Sequence, residues 1–176
     1  MFKSGVGFFA LFGLGWWLLA TGGLGGVPGV TAVIVGGAVT AGVLLAARRL
    51  PAAAPDGSLS PARRRRFHQV NAVQWLLIVV IAVVCARAGA PSLIGPLVAA
   101  VVGLHFLPLA AVFEQHRLRV PAAALVAVGA TGTAVWLADG PDTSVRLVAG
   151  LGSAVTLWAT AVWTLHGIRN GARSAR

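Results

Sequence analysis

The chain has 176 residues, of which 57% are hydrophobic and 10% charged, with 14 Lys and Arg against 4 Asp and Glu for a formal net charge of +10. That mixture excludes a disordered chain, which is poor in apolar residues and rich in charge, and an ordinary soluble domain, in which about 25% of residues are charged. A single cysteine, Cys85, leaves neither an internal disulfide framework nor a multi-cysteine zinc site.

A bilayer core of about 30 Å needs roughly 20 apolar residues in a helix. Six stretches meet that need: 5–21, 28–47, 70–86, 92–113, 120–138 and 144–166. They are apolar all round, whereas strands of a membrane barrel alternate in polarity over about 10 residues. The links 22–27, 87–91, 114–119 and 139–143 are short and set successive helices antiparallel. Residues 48–69 form the one long connection, with Pro51, Pro55, Pro61 and the run Arg63, Arg64, Arg65 and Arg66, and read as a mobile cytoplasmic loop. The expected fold is all-α: a polytopic transmembrane bundle over 1–176, six helices arranged as three antiparallel hairpins.

With the N-terminus inside, 12 basic residues fall on the cytoplasmic side and only Arg87 and Arg146 on the other. The positive-inside rule therefore selects N-in and C-in. Indoles favour the membrane interface, where an apolar ring and one N–H are both accommodated. Trp16, Trp17 and Trp136 are expected toward outer helix ends, Trp75 and Trp163 toward inner ends, and Trp158 nearer the middle. The alternative for the first stretch is a secretory leader ending near Ala20-Thr21-Gly22, which would leave five spans.

Between lipid-embedded helices, close packing and hydrogen bonds replace apolar burial as the holding force. Gly129-x-x-x-Thr133 and the series Gly152, Thr156, Thr160, Thr164, with Ser153 beside it, read as tight seams or as a polar lining. A threonine can also bond back to its own helix. His105 lies deep in the fourth span, and Pro108 three residues on lacks an N–H and frees the carbonyl of Leu104. An ionisable side chain at that depth is a functional candidate, set against a neutral histidine acting as structural glue. His68, Asn71 and Gln74 share one face of the third helix. Asn71, Gln74 and His105, with Thr156, Thr160 and Thr164, form the candidate polar pathway or binding site. Their plainer reading is a solvated helix start and helix-to-helix bonding.

Glu114, the one glutamate, and His116 read as a solvated cap beside Arg117 and Arg119, so no paired-carboxylate machinery is expected there. His166 suits a helix C-terminus, and Asp139 and Asp142 supply too few oxygens for a cation site. All four histidines fall in the cytoplasmic half with only His105 deep, so bis-histidine haem is not expected, nor is any other cofactor or metal. Gly5-Val6-Gly7-Phe8-Phe9-Ala10 matches G-x-G-x-x-A but has only four residues before it and no strand. Cys85 reads as a small buried hydrophobe. Arg63 to Arg66 sit just before a span, which favours anionic lipid headgroups over nucleic acid, at about 1 kcal/mol per residue. The plainer reading is that they set topology.

The segment His105-Phe106-Leu107-Pro108-Leu109-Ala110, followed by Phe113, resembles an H-F-x-P-L-A segment in small multi-pass bacterial membrane proteins of no assigned activity. The resemblance covers one helix. It implies the six-helix layout and an inward-facing His105, and nothing about substrate. The 13 arginines against one lysine, with much Ala, Gly and Val, suit a GC-rich bacterial genome. The leading functional expectation is a bacterial inner-membrane protein without catalytic equipment, a binding, sensing or assembly component whose partners are the bilayer, a membrane protein or a second copy. The alternatives are a small transporter or channel around His105 and, third, a membrane enzyme or haem protein.

Overall fold

The computed structural model describes residues 2–49 and 60–174, and the side chains of 5–49 and 60–170 within them. Among these residues the chain forms six α-helices and no strand: α1 (Phe2–Thr21), α2 (Gly26–Arg48), α3 (Pro61–Arg87), α4 (Ile94–Val112), α5 (Arg119–Leu137) and α6 (Asp142–Ser174). Short 3-10 turns, Pro91–Leu93 and His116–Leu118, lead into α4 and α5. Five helices, α2 to α6, are long and apolar enough to cross a membrane, and α1 carries a shorter apolar run, Gly5–Thr21. The all-α expectation holds, with one helix over each apolar stretch.

Two helices exceed their expected bounds by two turns or more. α3 starts at Pro61, so residues 61–69, expected in the loop, are helical. The cause is local: the Ser60 hydroxyl accepts from the Arg63 N–H, and Pro61 occupies the first helical position, where its missing N–H costs nothing. The rest of that expected loop, 50–59, lies outside the described residues. α6 runs on to Ser174, eight residues past its expected end. At 1.5 Å per residue α3 is about 40 Å long and α6 about 50 Å, both longer than a hydrocarbon core of about 30 Å.

The helices fall into two compact units. The first comprises α1, α2 and α6 from Ser153 onward. Its centre is the carbonyl of Ala10 on α1, itself fully buried. The Trp158 indole of α6 donates to this oxygen at 3.1 Å, and the Thr40 hydroxyl of α2 donates to it at 3.5 Å. One backbone atom thus ties three helices. The rings can come so close because the facing positions are glycines. A Cβ on Gly13 would lie 2.6 Å from the Trp158 Nε1, and one on Gly36 would lie 2.5 Å from the Trp17 Cδ1. Trp17 fills the α2 notch and donates to the Ala32 carbonyl at 2.7 Å. The Trp17 and Trp158 rings pack with centroids 5.6 Å apart. Below them, Val6, Ala10, Val43, Ala47, Ala161 and Leu165 form a buried cluster flanked by Phe9 and Leu44. Trp16 and Trp158 are buried, Trp158 lying nearer the middle of its helix as expected, and Trp17, expected at the interface, is half-buried with its N–H bonded inside the unit. Only Trp75 and Trp163 present exposed rings.

The second unit comprises α3, α4, α5 and α6 as far as Gly152. Its tightest seam joins α4 and α5 through two reciprocal notches. A Cβ on Gly103 would meet the Ala122 carbonyl at 2.7 Å and the Val126 amide at 2.8 Å. A Cβ on Gly129 would meet the Pro96 carbonyl at 2.6 Å and the Ala100 amide at 2.8 Å. The clashing atoms are backbone, so these helices touch main chain to main chain, as small residues permit in lipid. The Thr133 hydroxyl donates to the Gly129 carbonyl of its own helix at 2.9 Å rather than across the seam.

α3, α4 and α5 all end in one way. Gly89, Glu114 and Asp139 have φ of +69°, +56° and +54°. The amide after each reaches back five residues to a carbonyl: Ala90 to Cys85 at 2.9 Å, Gln115 to Ala110 at 2.8 Å, and Gly140 to Val135 at 2.9 Å. These are Schellman closures, which satisfy carbonyls the helix end would orphan.

Two outcomes follow from these seams. Gly129→Leu separates α5 from α4 and lowers stability by at least about 3 kcal/mol, while Ala130→Leu on the exposed side of α5 is tolerated. Trp158→Phe keeps an aromatic ring, loses the bond to Ala10 and part of the buried ring, and costs at least about 1 kcal/mol. Unfolding in mixed micelles of mild and denaturing detergent measures both.

Candidate functional site

Polar side chains gather where α3 begins and α4 ends. Arg63, in the first turn of α3, pairs with Glu114, two residues past the end of α4. Half a turn to one turn deeper, Phe67 meets Phe113 edge-on with centroids 5.7 Å apart. Asn71 then donates from Nδ2 to the Phe67 carbonyl at 3.0 Å. Opposite, the imidazole of His105, half-buried on α4, faces the backbone of Val70 on α3. The hairpin is thus joined from solvent inward by an ion pair and an aromatic contact, with His105 beneath them. Pro108 lies inside α4, where it leaves Leu104 without its usual intrahelical donor.

Asn71, Gln74, His105 and Pro108 all belong to the second unit, and Thr156, Thr160 and Thr164 to the first. Asn71 and Gln74 are both half-buried. The Thr160 hydroxyl donates to the Thr156 carbonyl at 2.7 Å, and the Thr164 hydroxyl to the Thr160 carbonyl at 2.8 Å. These hydroxyls bond along their own helix, as does the Nδ1 of His166, 2.9 Å from the Val162 carbonyl. Ser153, on the same helix, is the exception: its hydroxyl is fully buried and has no partner among the described residues. His68 and His116 are exposed, and the described residues contain no group of three or more His, Cys, Asp or Glu placed to hold a metal. Cys85 is buried, a small hydrophobe as expected.

The two ends of the second unit differ in charge. The Arg63–Glu114 pair places the start of α3, the end of α4 and the start of α5 at one end. That end holds Arg63 to Arg66, Arg117 and Arg119 against the one carboxylate, Glu114. The other end holds Arg87 and Arg146 together with Asp139 and Asp142. Arg64, Arg65 and Arg66 are all exposed.

The sequence analysis missed the ion pair, treating Glu114 as a solvated cap. Nothing in the spacing of Arg63 and Glu114 announces it, because they meet only once α3 is extended back to Pro61. It missed the Ala10 junction too, since a backbone carbonyl leaves no signature. Gly13 and Gly36 could have hinted at rings nearby, but 23 glycines dilute that signal.

Glu114 holds a doubly disfavoured place: a left-handed backbone conformation that L-residues avoid, and a negative charge at the negative end of a helix. Its pair with Arg63 is solvent-exposed and contributes only about 0–1 kcal/mol. Glu114→Gly is therefore expected to be more stable than Glu114→Ala by about 1 kcal/mol, because both lose the pair and only glycine removes the strain. Equal stability of the two in detergent unfolding would remove the strain argument.

No family model matches the chain, and no curated protein or solved structure matches it either.

Proposed function

We propose that the protein is a bacterial inner-membrane protein that crosses the bilayer six times with both termini in the cytoplasm, and that it works as a binding, sensing or assembly component without catalytic chemistry. One observation carries this reading: apart from Ser153, the polar side chains with a described bond inside the helices are engaged by backbone carbonyls. Asn71, Thr133, Thr160 and Thr164 bond within their own helices, and Thr40, Trp17 and Trp158 bond to neighbouring ones. Groups held in this way join helices and are poorly placed to move protons or attack a substrate.

The charge difference between the ends of the second unit supports the orientation, since the arginine-rich end belongs in the cytoplasm by the positive-inside rule. The arginine-over-lysine bias supports a bacterial source. α2 and α3 expose apolar side chains along their lengths, Val33, Ile34 and Val39 on one and Leu76, Val79 and Val83 on the other. Such surfaces suit lipid, a membrane partner or a second copy. A transport reading is kept in view by the unpartnered, fully buried hydroxyl of Ser153 and by His105 at membrane depth.

Two measurements test this. On a Cys85→Ser background, a membrane-impermeant maleimide should label Ala90→Cys and Ser144→Cys in intact spheroplasts, and Ala62→Cys and Asn170→Cys only after lysis. The reverse pattern would sink the orientation. In proteoliposomes, ion and proton leakage should stay at the protein-free level. A flux carried by the protein and abolished by His105→Ala or Ser153→Ala would overturn the non-transport reading in favour of the second.

A further inference from the structure

The first turn of α3 is electrostatically at odds with itself. A helix N-terminus carries a partial positive charge and favours acids. α3 has no acid in its first turn and places four consecutive arginines at its start. The side chain that usually eases such an end is already committed, because the Ser60 hydroxyl caps the Arg63 amide. Glu114 answers Arg63 alone. Arg64, Arg65 and Arg66 then stand exposed within a single turn, and Arg117 and Arg119 lie at the same end of the unit.

Geometry says where this charge sits relative to a bilayer. From Arg66 to Arg87 the helix rises about 30 Å, the thickness of a hydrocarbon core. With Arg87 at one surface, Arg66 is at the other, and Arg64 and Arg65 stand at headgroup level. The missing negative charge is therefore available from phosphate groups of the lipid itself.

We propose that Arg64, Arg65 and Arg66 bind the phosphates of anionic phospholipids, and that this contact supplies the counter-charge the first turn of α3 lacks. The arginine side chain suits this chemistry, presenting paired N–H donors to phosphate oxygens. The proposal rests on the membrane placement above but not on its orientation, so the maleimide labelling in spheroplasts separates failure of the one from failure of the other.

The test uses the full chain in neutral detergent, titrated separately with phosphatidylglycerol, phosphatidylcholine and inorganic phosphate while thermal unfolding is followed. Phosphatidylglycerol should raise the unfolding temperature and phosphatidylcholine should not. The variant R64Q/R65Q/R66Q should lose about 100-fold in apparent affinity for phosphatidylglycerol, at roughly fivefold per arginine. In lipid-free detergent the same variant should unfold at or above the wild-type temperature, because it sheds mutual repulsion and a clash with the helix dipole. A site whose arginines merely support the fold would show the opposite. Should the triple variant not be obtained folded, R65Q with a loss of about fivefold serves instead. Equal response to the two lipids, an unchanged affinity in the variants, or a lipid-free loss of stability would each overturn the proposal. A matching response to inorganic phosphate would assign the site to a soluble anion and overturn its lipid identity.

Discussion

Contact between helices at main-chain distance is the constraint on which the rest of this structure depends. A leucine or valine gains little by leaving lipid for a protein interior, so apolar area alone does not hold membrane helices together. What does is the sum of many close atomic contacts and a few well-placed hydrogen bonds. Both require the backbones to approach. Gly103 and Gly129 let α4 and α5 meet backbone to backbone. Gly13 and Gly36 make room for an indole instead, and there the close approach acquires a polar component. The Ala10 carbonyl receives Trp158 and Thr40 only because nothing larger than a methyl group stands in the way.

Hydrogen bonding along the rest of the chain follows the same logic. A backbone carbonyl has two lone pairs and its helix uses one, so each helix offers a column of further acceptors. Threonine, asparagine and tryptophan draw on that column throughout the chain. At the helix ends the supply reverses, with carbonyls lacking donors, and the Schellman closures at Gly89, Glu114 and Asp139 meet that need from the main chain. Closure of this kind demands one left-handed residue. Glycine accepts that backbone freely and aspartate tolerates it, but glutamate has no such allowance. Glu114 at that position makes sense through Arg63: the residue that closes α4 also pins the start of α3.

Much of the fold was legible in the sequence, because apolar runs of span length are a strong signal and short links leave few ways to connect them. What stayed hidden shares one cause. Apolar composition marks where a helix lies in lipid, but not where it ends outside it. Residues 61–69 looked like loop because arginine, histidine and glutamine break the apolar run, although Ser60 and Pro61 form a sound start signal once composition is set aside. Trp17 is expected at the interface by residue type, yet a buried carbonyl satisfies its indole N–H as well as interfacial water does. Of the candidate polar residues, Asn71, Thr160 and Thr164 were visible by type, but whether each bonds backward, sideways or into an open space depends on rotamers that spacing does not encode.

The arginine run shows the most general consequence, that local helix preference and membrane preference can oppose one another. In the last turn of α2, Arg48 lies where a cation suits the helix dipole, so helix and positive-inside preference agree. At the start of α3 they disagree, and the cations stand at the positive pole with a single acid beside them. A helix tuned for its own stability would carry aspartate or glutamate there. Four arginines persist in that turn against the helix's intrinsic preference, so the reason for them lies outside the helix, and the proposed lipid contact supplies one. Their arrangement also separates two roles. Arg63 is turned to Glu114 and fastens α3 to α4, while its three neighbours remain exposed. One turn thus serves the packing of the protein through its first arginine and leaves the rest exposed for the lipid contact proposed above.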